Sequence, residues 1–146
     1  MKTEKPYYLF VYGTLRKGFD LPVNKKISEN IEWLGPSEIR GRLYDIGDYP
    51  AALPSEKNGK SVIKGEVLKI NDPEKVLKVL DRYEGYNPKK LSNSEYYRNK
   101  ETVLLPNGKK IEAWVYWYNF PVAGKKRIRH KDYLNYLKKK PRQLGV

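Results

Sequence analysis

Two short runs of this chain carry residue types that could do chemistry. The first is Phe10-Val11-Tyr12-Gly13-Thr14-Leu15-Arg16. Tyr7, Tyr8, Leu9, Phe10, Val11 and Tyr12 are aromatic, aliphatic or β-branched and read as a buried strand. Gly13 then removes the Cβ and permits backbone angles that other residues avoid. A glycine at a strand's end lets backbone N–H groups face a ligand instead of a neighbouring strand. Thr14 adds a hydroxyl and Arg16 a fixed cation nearby. The second run is Leu80-Asp81-Arg82-Tyr83-Glu84-Gly85-Tyr86. Glu84 stands out because it ends a helix, where the helix dipole favours cations. It also has Tyr83 and Tyr86 as neighbours. A carboxylate desolvated among tyrosines has a raised pKa, as a proton-shuttling base requires.

Each run also has a plainer reading: a strand followed by a turn, and a surface glutamate beside a capping glycine. The same choice holds for Tyr96-Tyr97-Arg98 and Tyr116-Trp117-Tyr118. They are core and cross-strand pairs, or the aromatic walls of a pocket for a small polar molecule. The Asp48-Tyr49-Pro50 loop is a turn or a pocket rim.

The elements that must position these groups are mostly short strands. Asp20-Leu21-Pro22 leads into a short helix from Val23 to Glu29, and Gly35-Pro36 marks a break. From Ser37 to Tyr44, Ile39, Gly41 and Leu43 alternate with Arg40, Arg42 and Tyr44, which predicts a strand. Asp45 to Pro54 is loop-like. Lys57-Asn58-Gly59-Lys60 signals a hairpin turn, and Ser61 to Ile70 a strand. Asp72-Pro73-Glu74 starts a helix with a capping carboxylate and Pro at the first helical position. Val76, Leu77, Leu80 and Tyr83 should face its core, and Gly85 ends it. Strands from Glu95 to Leu105 and Lys109 to Tyr118 flank the Pro106-Asn107-Gly108 turn, the second of them central. A last helix runs from about Lys131 to Lys139, with Tyr133, Leu134 and Leu137 as its apolar stripe. The sum is an α+β domain, a small mixed β-barrel flanked by a few helices.

Composition narrows the chemistry. At 146 residues the chain suits one domain, burying ~70% of its unfolded surface. It has no Cys and one His, so disulfide and thiolate chemistry and the common zinc ligand sets are excluded. No apolar run approaches the ~18 residues of a membrane span, and Met1 to Pro6 carries no apolar signal segment. The expectation is a cytoplasmic protein. The net charge is +13, and residues 125–146 carry nine basic side chains against Asp132 alone. The expected organisation is a domain over 1–124 and a basic C-terminal extension over 125–146, dispensable for activity. No phosphate loop and no RNA-reading aromatic run is present.

Taken in order, Phe10 to Gly18, Arg42-Leu43-Tyr44, Asp48-Tyr49-Pro50-Ala51, Gly65-Glu66-Val67-Leu68, Leu80 to Tyr86, Tyr97-Arg98 and Ala113-Trp114-Val115-Tyr116 resemble the gamma-glutamylcyclotransferase-like family. The resemblance runs from about Tyr8 to Tyr118 and leaves the stretch from Asn119 unmatched. It implies a small β-barrel flanked by helices. It implies cyclisation of a γ-glutamyl group to 5-oxoproline with release of an amine or amino acid, without metal or organic cofactor. Glu84 matches the family's acid/base. Tyr12, Gly13, Thr14 and Leu15 match the loop that holds the glutamyl α-carboxylate or the developing oxyanion. Tyr49 and Tyr118 complete the expected substrate site. The partner implied is a small γ-glutamyl molecule rather than nucleic acid or membrane. The competing reading is a non-catalytic small-molecule or RNA-binding domain on the same barrel, working through its basic tail.

Overall fold

A computed structural model gives the fold, and the structure describes residues 7–19, 21–47, 49–129 and 131–139. Seven strands and three α-helices follow the order β1 (Tyr7–Val11), α1 (Pro22–Ile27), β2 (Ile31–Asp45), β3 (Pro50–Pro54), β4 (Val62–Ile70), α2 (Pro73–Tyr83), β5 (Tyr96–Leu104), β6 (Lys110–Tyr118), β7 (Lys126–Ile128) and α3 (Tyr133–Lys139). Neighbouring strands run β2-β4-β1-β6-β5, and the Glu38↔Leu104 pairing of β2 with β5 closes the ring into a five-stranded barrel. The β1–β6 pair is parallel and the other ring pairs are antiparallel. The sheet is therefore mixed.

The barrel fills because its strands alternate. Phe10, Ile39, Ile63, Val67, Val103, Val115 and Trp117 come from all five ring strands and pack into one cluster. The opposite face of β1, Leu9 and Val11, joins a second cluster with Val23 and Ile27 of α1 and Val76, Leu77 and Leu80 of α2. Thus β1 is apolar on both faces because one lines the barrel and the other lies under the helices. Gly65 on β4 allows the close approach this needs. A Cβ there would lie 2.2 Å from the Val11 carbonyl oxygen.

Several sequence expectations change. Gly35-Pro36 does not end an element. β2 runs through it for 15 residues, taking up the irregularity as a register shift between Trp33 and Gly35. The Asp45–Pro54 stretch contains β3, which pairs with the far end of β2. The Asn58 turn exists, with φ +66°, but β3 and β4 both pair with β2 rather than with each other. The first helix stops at Ile27 and Ser28–Asn30 continues as a 3-10 turn.

The basic segment is no separate extension across its described part. Lys126–Ile128 pairs with Leu43–Asp45 of β2, and Ile128 and Tyr133 belong to the barrel core. The Lys64 N–H also donates to the Lys131 carbonyl at 2.7 Å. Within α3, Tyr133 is buried whereas Leu137 is exposed, so Tyr133 and Tyr136 rather than Leu137 make its packed face. The end of the chain, 140–146, together with His130, lies outside the described residues. No helix among the described residues is long and apolar enough to cross a membrane.

Candidate active site

Glu84 is placed by the way α2 ends. Asp72 caps the helix start by accepting the Lys75 N–H. At the other end the Gly85 N–H donates to the Arg82 carbonyl and the Tyr86 N–H to the Asp81 carbonyl. That double closure requires a left-handed residue, which Gly85 supplies at φ +68°. Glu84 is the C-cap itself. Asp81, one turn earlier, pins the helix to the barrel. Arg98 on β5 donates to both its carboxylate oxygens, at 2.7 and 3.1 Å, and the Tyr116 hydroxyl on β6 donates at 2.6 Å. The Arg98 guanidinium carbon lies 5.4 Å from the Tyr86 ring centroid and 5.1 Å from that of Trp114. The Asp-x-x-Glu spacing thus divides the work: Asp81 anchors, and Glu84 is carried to the barrel mouth.

There a cavity of about 160 Å³ opens. Tyr12, Gly13, Thr14, Leu15, Tyr49 and Glu84 all line it, so the two runs, far apart in sequence, meet across one space. Tyr118 does not line it. Its ring packs edge-on against Tyr96, centroids 5.3 Å apart, and Tyr96 is the lining residue. Arg16 is not a cation at the site either. Its buried side chain forms a 2.8 Å ion pair with Asp132 and lies 3.6 Å from Glu66. Tyr83 is no core residue, being 45% exposed. Its hydroxyl bonds the Thr14 hydroxyl at 2.8 Å at the cavity wall.

Glu95 lines the cavity without any sequence signal that marked it, Pro50 lines it as part of the loop read as a turn or a pocket rim, and Tyr96 and Tyr116 were marked only as members of larger aromatic runs. Glu95 comes to the site because its N–H donates to the Gly85 carbonyl, setting the start of β5 against the end of α2. The Tyr49 hydroxyl donates to Glu95 Oε1 at 2.8 Å. The Tyr96 hydroxyl donates to the Pro50 carbonyl at 2.7 Å and the Tyr12 hydroxyl to the Tyr116 carbonyl at 2.5 Å.

The loop from Gly13 to Arg16 is a tight turn closed by the Arg16 N–H on the Gly13 carbonyl. Its outer side is held by the Asn24 amide, which donates to the Thr14 carbonyl. Among the described residues the N–H groups of Gly13, Thr14 and Leu15 donate to no protein acceptor. They are the donors available to an oxyanion. Gly13 serves by size rather than by conformation. It is not among the glycines with positive φ, and a Cβ there would sit 3.2 Å from the Pro50 ring.

Electrostatically, the cavity favours a neutral acid. Burial, then the nearby Glu95 and Asp81 carboxylates, push the Glu84 carboxyl up to about 8. No Lys, Arg or His is among the described lining residues. Burial, and secondarily the Glu84 charge, raises the Tyr12 phenol well above its ordinary value. Tyr96 and Tyr116 are raised by burial as well. These phenols stay protonated and act as hydrogen-bond donors. The site sets the Glu84 carboxyl, with its raised pKa, in one cavity with the backbone of Gly13, Thr14 and Leu15.

The family model for gamma-glutamyl cyclotransferase, AIG2-like proteins matches residues 9–135. The chain belongs to that family. The match extends past Tyr118 through β7 into α3, in line with the packing of those elements on the barrel. A Methanocaldococcus jannaschii protein named as a candidate gamma-glutamylcyclotransferase is 34% identical over 132 residues, covering 88% of this chain and 97% of that protein. The gamma-glutamylcyclotransferase family protein YtfP of Escherichia coli K12 is 33% identical over 128 residues. Its solution structure matches with a TM-score of 0.60 over 88% of this chain and 97% of that one. The crystal structure of Bacillus subtilis YkqA matches with a TM-score of 0.66 at 22% identity, covering 93% of this chain but 44% of YkqA. That likeness concerns the fold alone. The family and the small mixed β-barrel flanked by helices are as the sequence motifs imply.

Proposed function

We propose that this chain cyclises a γ-glutamyl amine or peptide to 5-oxoproline, with Glu84 as the single proton shuttle. The observation that carries this reading is the shared cavity: a carboxyl raised to about 8 lines the same space as the Gly13–Leu15 backbone. In the reaction the substrate's α-amine attacks its own γ-carbonyl carbon. A C–N bond forms, the carbonyl electron pair moves to oxygen, and a five-membered ring closes. Glu84 takes the proton that the amine sheds. The N–H groups of Gly13, Thr14 and Leu15 stabilise the oxyanion. When the intermediate collapses, the scissile C–N bond breaks and Glu84 returns the proton to the departing nitrogen. Atoms balance without water, oxidant or reductant.

A base with a pKa near working pH serves both transfers, because it must accept and donate within one turnover. Intramolecular attack needs little beyond holding the substrate folded. The aromatic walls of Tyr12, Tyr96 and Tyr116 supply that confinement, and their hydroxyls are already committed to protein acceptors. The test is incubation with a panel of γ-glutamyl amines and peptides, scoring 5-oxoproline release. Turnover of at least one supports the reading, and silence across the panel refutes it.

A further inference from the structure

A second concave site lies along the C-terminal half of β2. The cleft holds about 120 Å³ between Gly41–Leu43, Ser61 and Val62 before and at the start of β4, Arg127–Arg129 and Lys131. Arg42, Arg127, Arg129, Lys131 and the Ser61 hydroxyl line it, with no carboxylate among its described lining residues. It shares no lining residue with the cavity of Glu84. We propose that this cleft binds a phosphate-class oxyanion, either free or as the phosphoryl group of a small organic ligand.

Arg42 and Arg127 are mounted on paired strands, and Arg129 and Lys131 follow directly after β7. Tyr44↔Arg127 and Leu43↔Ile128 are in register across β2 and β7. The Lys64 N–H holds the Lys131 carbonyl. Arg127 Nη2 donates to Ser61 Oγ at 2.9 Å, and Arg42 is steadied by Glu56 at 3.0 Å. Like charges gathered at one small volume repel each other, and a multiply charged anion relieves that repulsion. Guanidinium forks match phosphoryl oxygens in pairs, and the Arg127 and Arg42 side chains, already held by Ser61 and Glu56, lose less freedom on binding than unrestrained ones. The volume is several times the ~10–15 Å³ that one water needs, room for a phosphoryl group. No aromatic side chain lines the cleft, so nucleic-acid bases have nothing there to stack upon. The cleft also adjoins the main site's support. Lys131 lines it, and the next residue, Asp132, holds Arg16 behind the Gly13–Leu15 loop.

The test is thermal denaturation of the full chain with pyrophosphate, against sodium chloride at matched ionic strength. At about ten times the dissociation constant the midpoint should rise by roughly 3 °C. Arg127→Gln with Arg129→Gln should remove the rise. Lys75→Gln with Lys78→Gln, exposed on α2 with the same charge loss, should keep it. If the first pair folds poorly, Arg129→Gln with Lys131→Gln spares the Ser61 bond and should give the same loss. Parallel titrations separate the two sources. Inorganic phosphate alone active means a free anion, and glycerol phosphate equally active means a ligand-borne phosphoryl group. No rise beyond salt, or equal loss in the cleft and control variants, overturns the proposal. So does a single-stranded oligonucleotide that binds more tightly than pyrophosphate and is lost in the same cleft variants.

Discussion

The Arg16 guanidinium donates to Asp132 Oδ1 at 2.8 Å, joining residues 116 positions apart in sequence. Arg16 directly follows the Gly13–Leu15 cradle, and Asp132 precedes α3. The C-terminal segment therefore braces the loop that the proposed chemistry depends on. Deleting residues from Lys125 onward removes β7, two core side chains and this ion pair. The truncated chain should be strongly destabilised or unfolded, contrary to the dispensability expected from charge alone. Circular dichroism and a denaturation curve decide it.

Asp132→Asn isolates the ion pair. Arg16 is buried, and the variant leaves it a neutral amide oxygen to donate to and the longer ion contact to Glu66. A loss of about 1–3 kcal/mol at neutral pH is expected. Arg16 holds the Asp132 carboxyl below its ordinary value of 3.8 despite burial. A depressed pKa gives stability that is present above 3.8 and lost as pH falls through the folded value. The gap between Asp132→Asn and the parent in urea unfolding should therefore close in acid.

Glu84 has the opposite sign. Its folded pKa of about 8 lies above the ordinary 4.5. The protonated form favours the fold, so its contribution is complete below 4.5 and is lost as pH rises through about 8. Two consequences follow for one residue. kcat/KM should climb with pH through about 8 as the base form appears. Glu84→Gln should melt higher than the parent at pH near 8, since it removes a desolvated charge, while losing activity. An unchanged or lower melting temperature across that range contradicts the burial argument.

Glu95→Gln tests the coupling between the two carboxyls. Removing the Glu95 charge should lower the Glu84 pKa and move the pH–rate midpoint toward acid. Tyr49→Phe, which removes only the donor to Glu95, leaves both carboxyls in place and should move the midpoint much less. Equal shifts in both variants would mean that the hydrogen bond, not the charge, sets the profile.

The long alternating strands and α2 were legible because their own residues specify period and caps. β3 was not, since Pro50-Ala51-Ala52-Leu53-Pro54 has the composition of a loop and becomes a strand only by pairing with β2. β7 is three residues, two of them basic, and depends on the same partner. Within the site, Glu84 and the Gly13–Leu15 loop could be read from motifs. Glu95 could not, because it reaches the cavity through a hydrogen bond to Gly85. Gly13 was expected to matter for its backbone freedom. It matters because Pro50, on the strand hidden in that loop, stands 3.2 Å from where its Cβ would be. Gly13→Ala should accordingly weaken substrate binding before it slows turnover, seen as a KM rise larger than the fall in kcat.

The most direct measurement is 5-oxoproline release by Glu84→Gln on whichever γ-glutamyl substrate the parent turns over, with substrate affinity measured alongside. The amide keeps the carboxylate's shape but cannot accept the amine's proton. Loss of a general base costs about 10²–10⁴ in rate, and here one group serves both transfers, so a fall near the upper end is predicted. Affinity should stay within about threefold, because in the proposed reaction binding rests on the backbone of Gly13, Thr14 and Leu15. A variant that turns over within about threefold of the parent would falsify Glu84 as the proton shuttle.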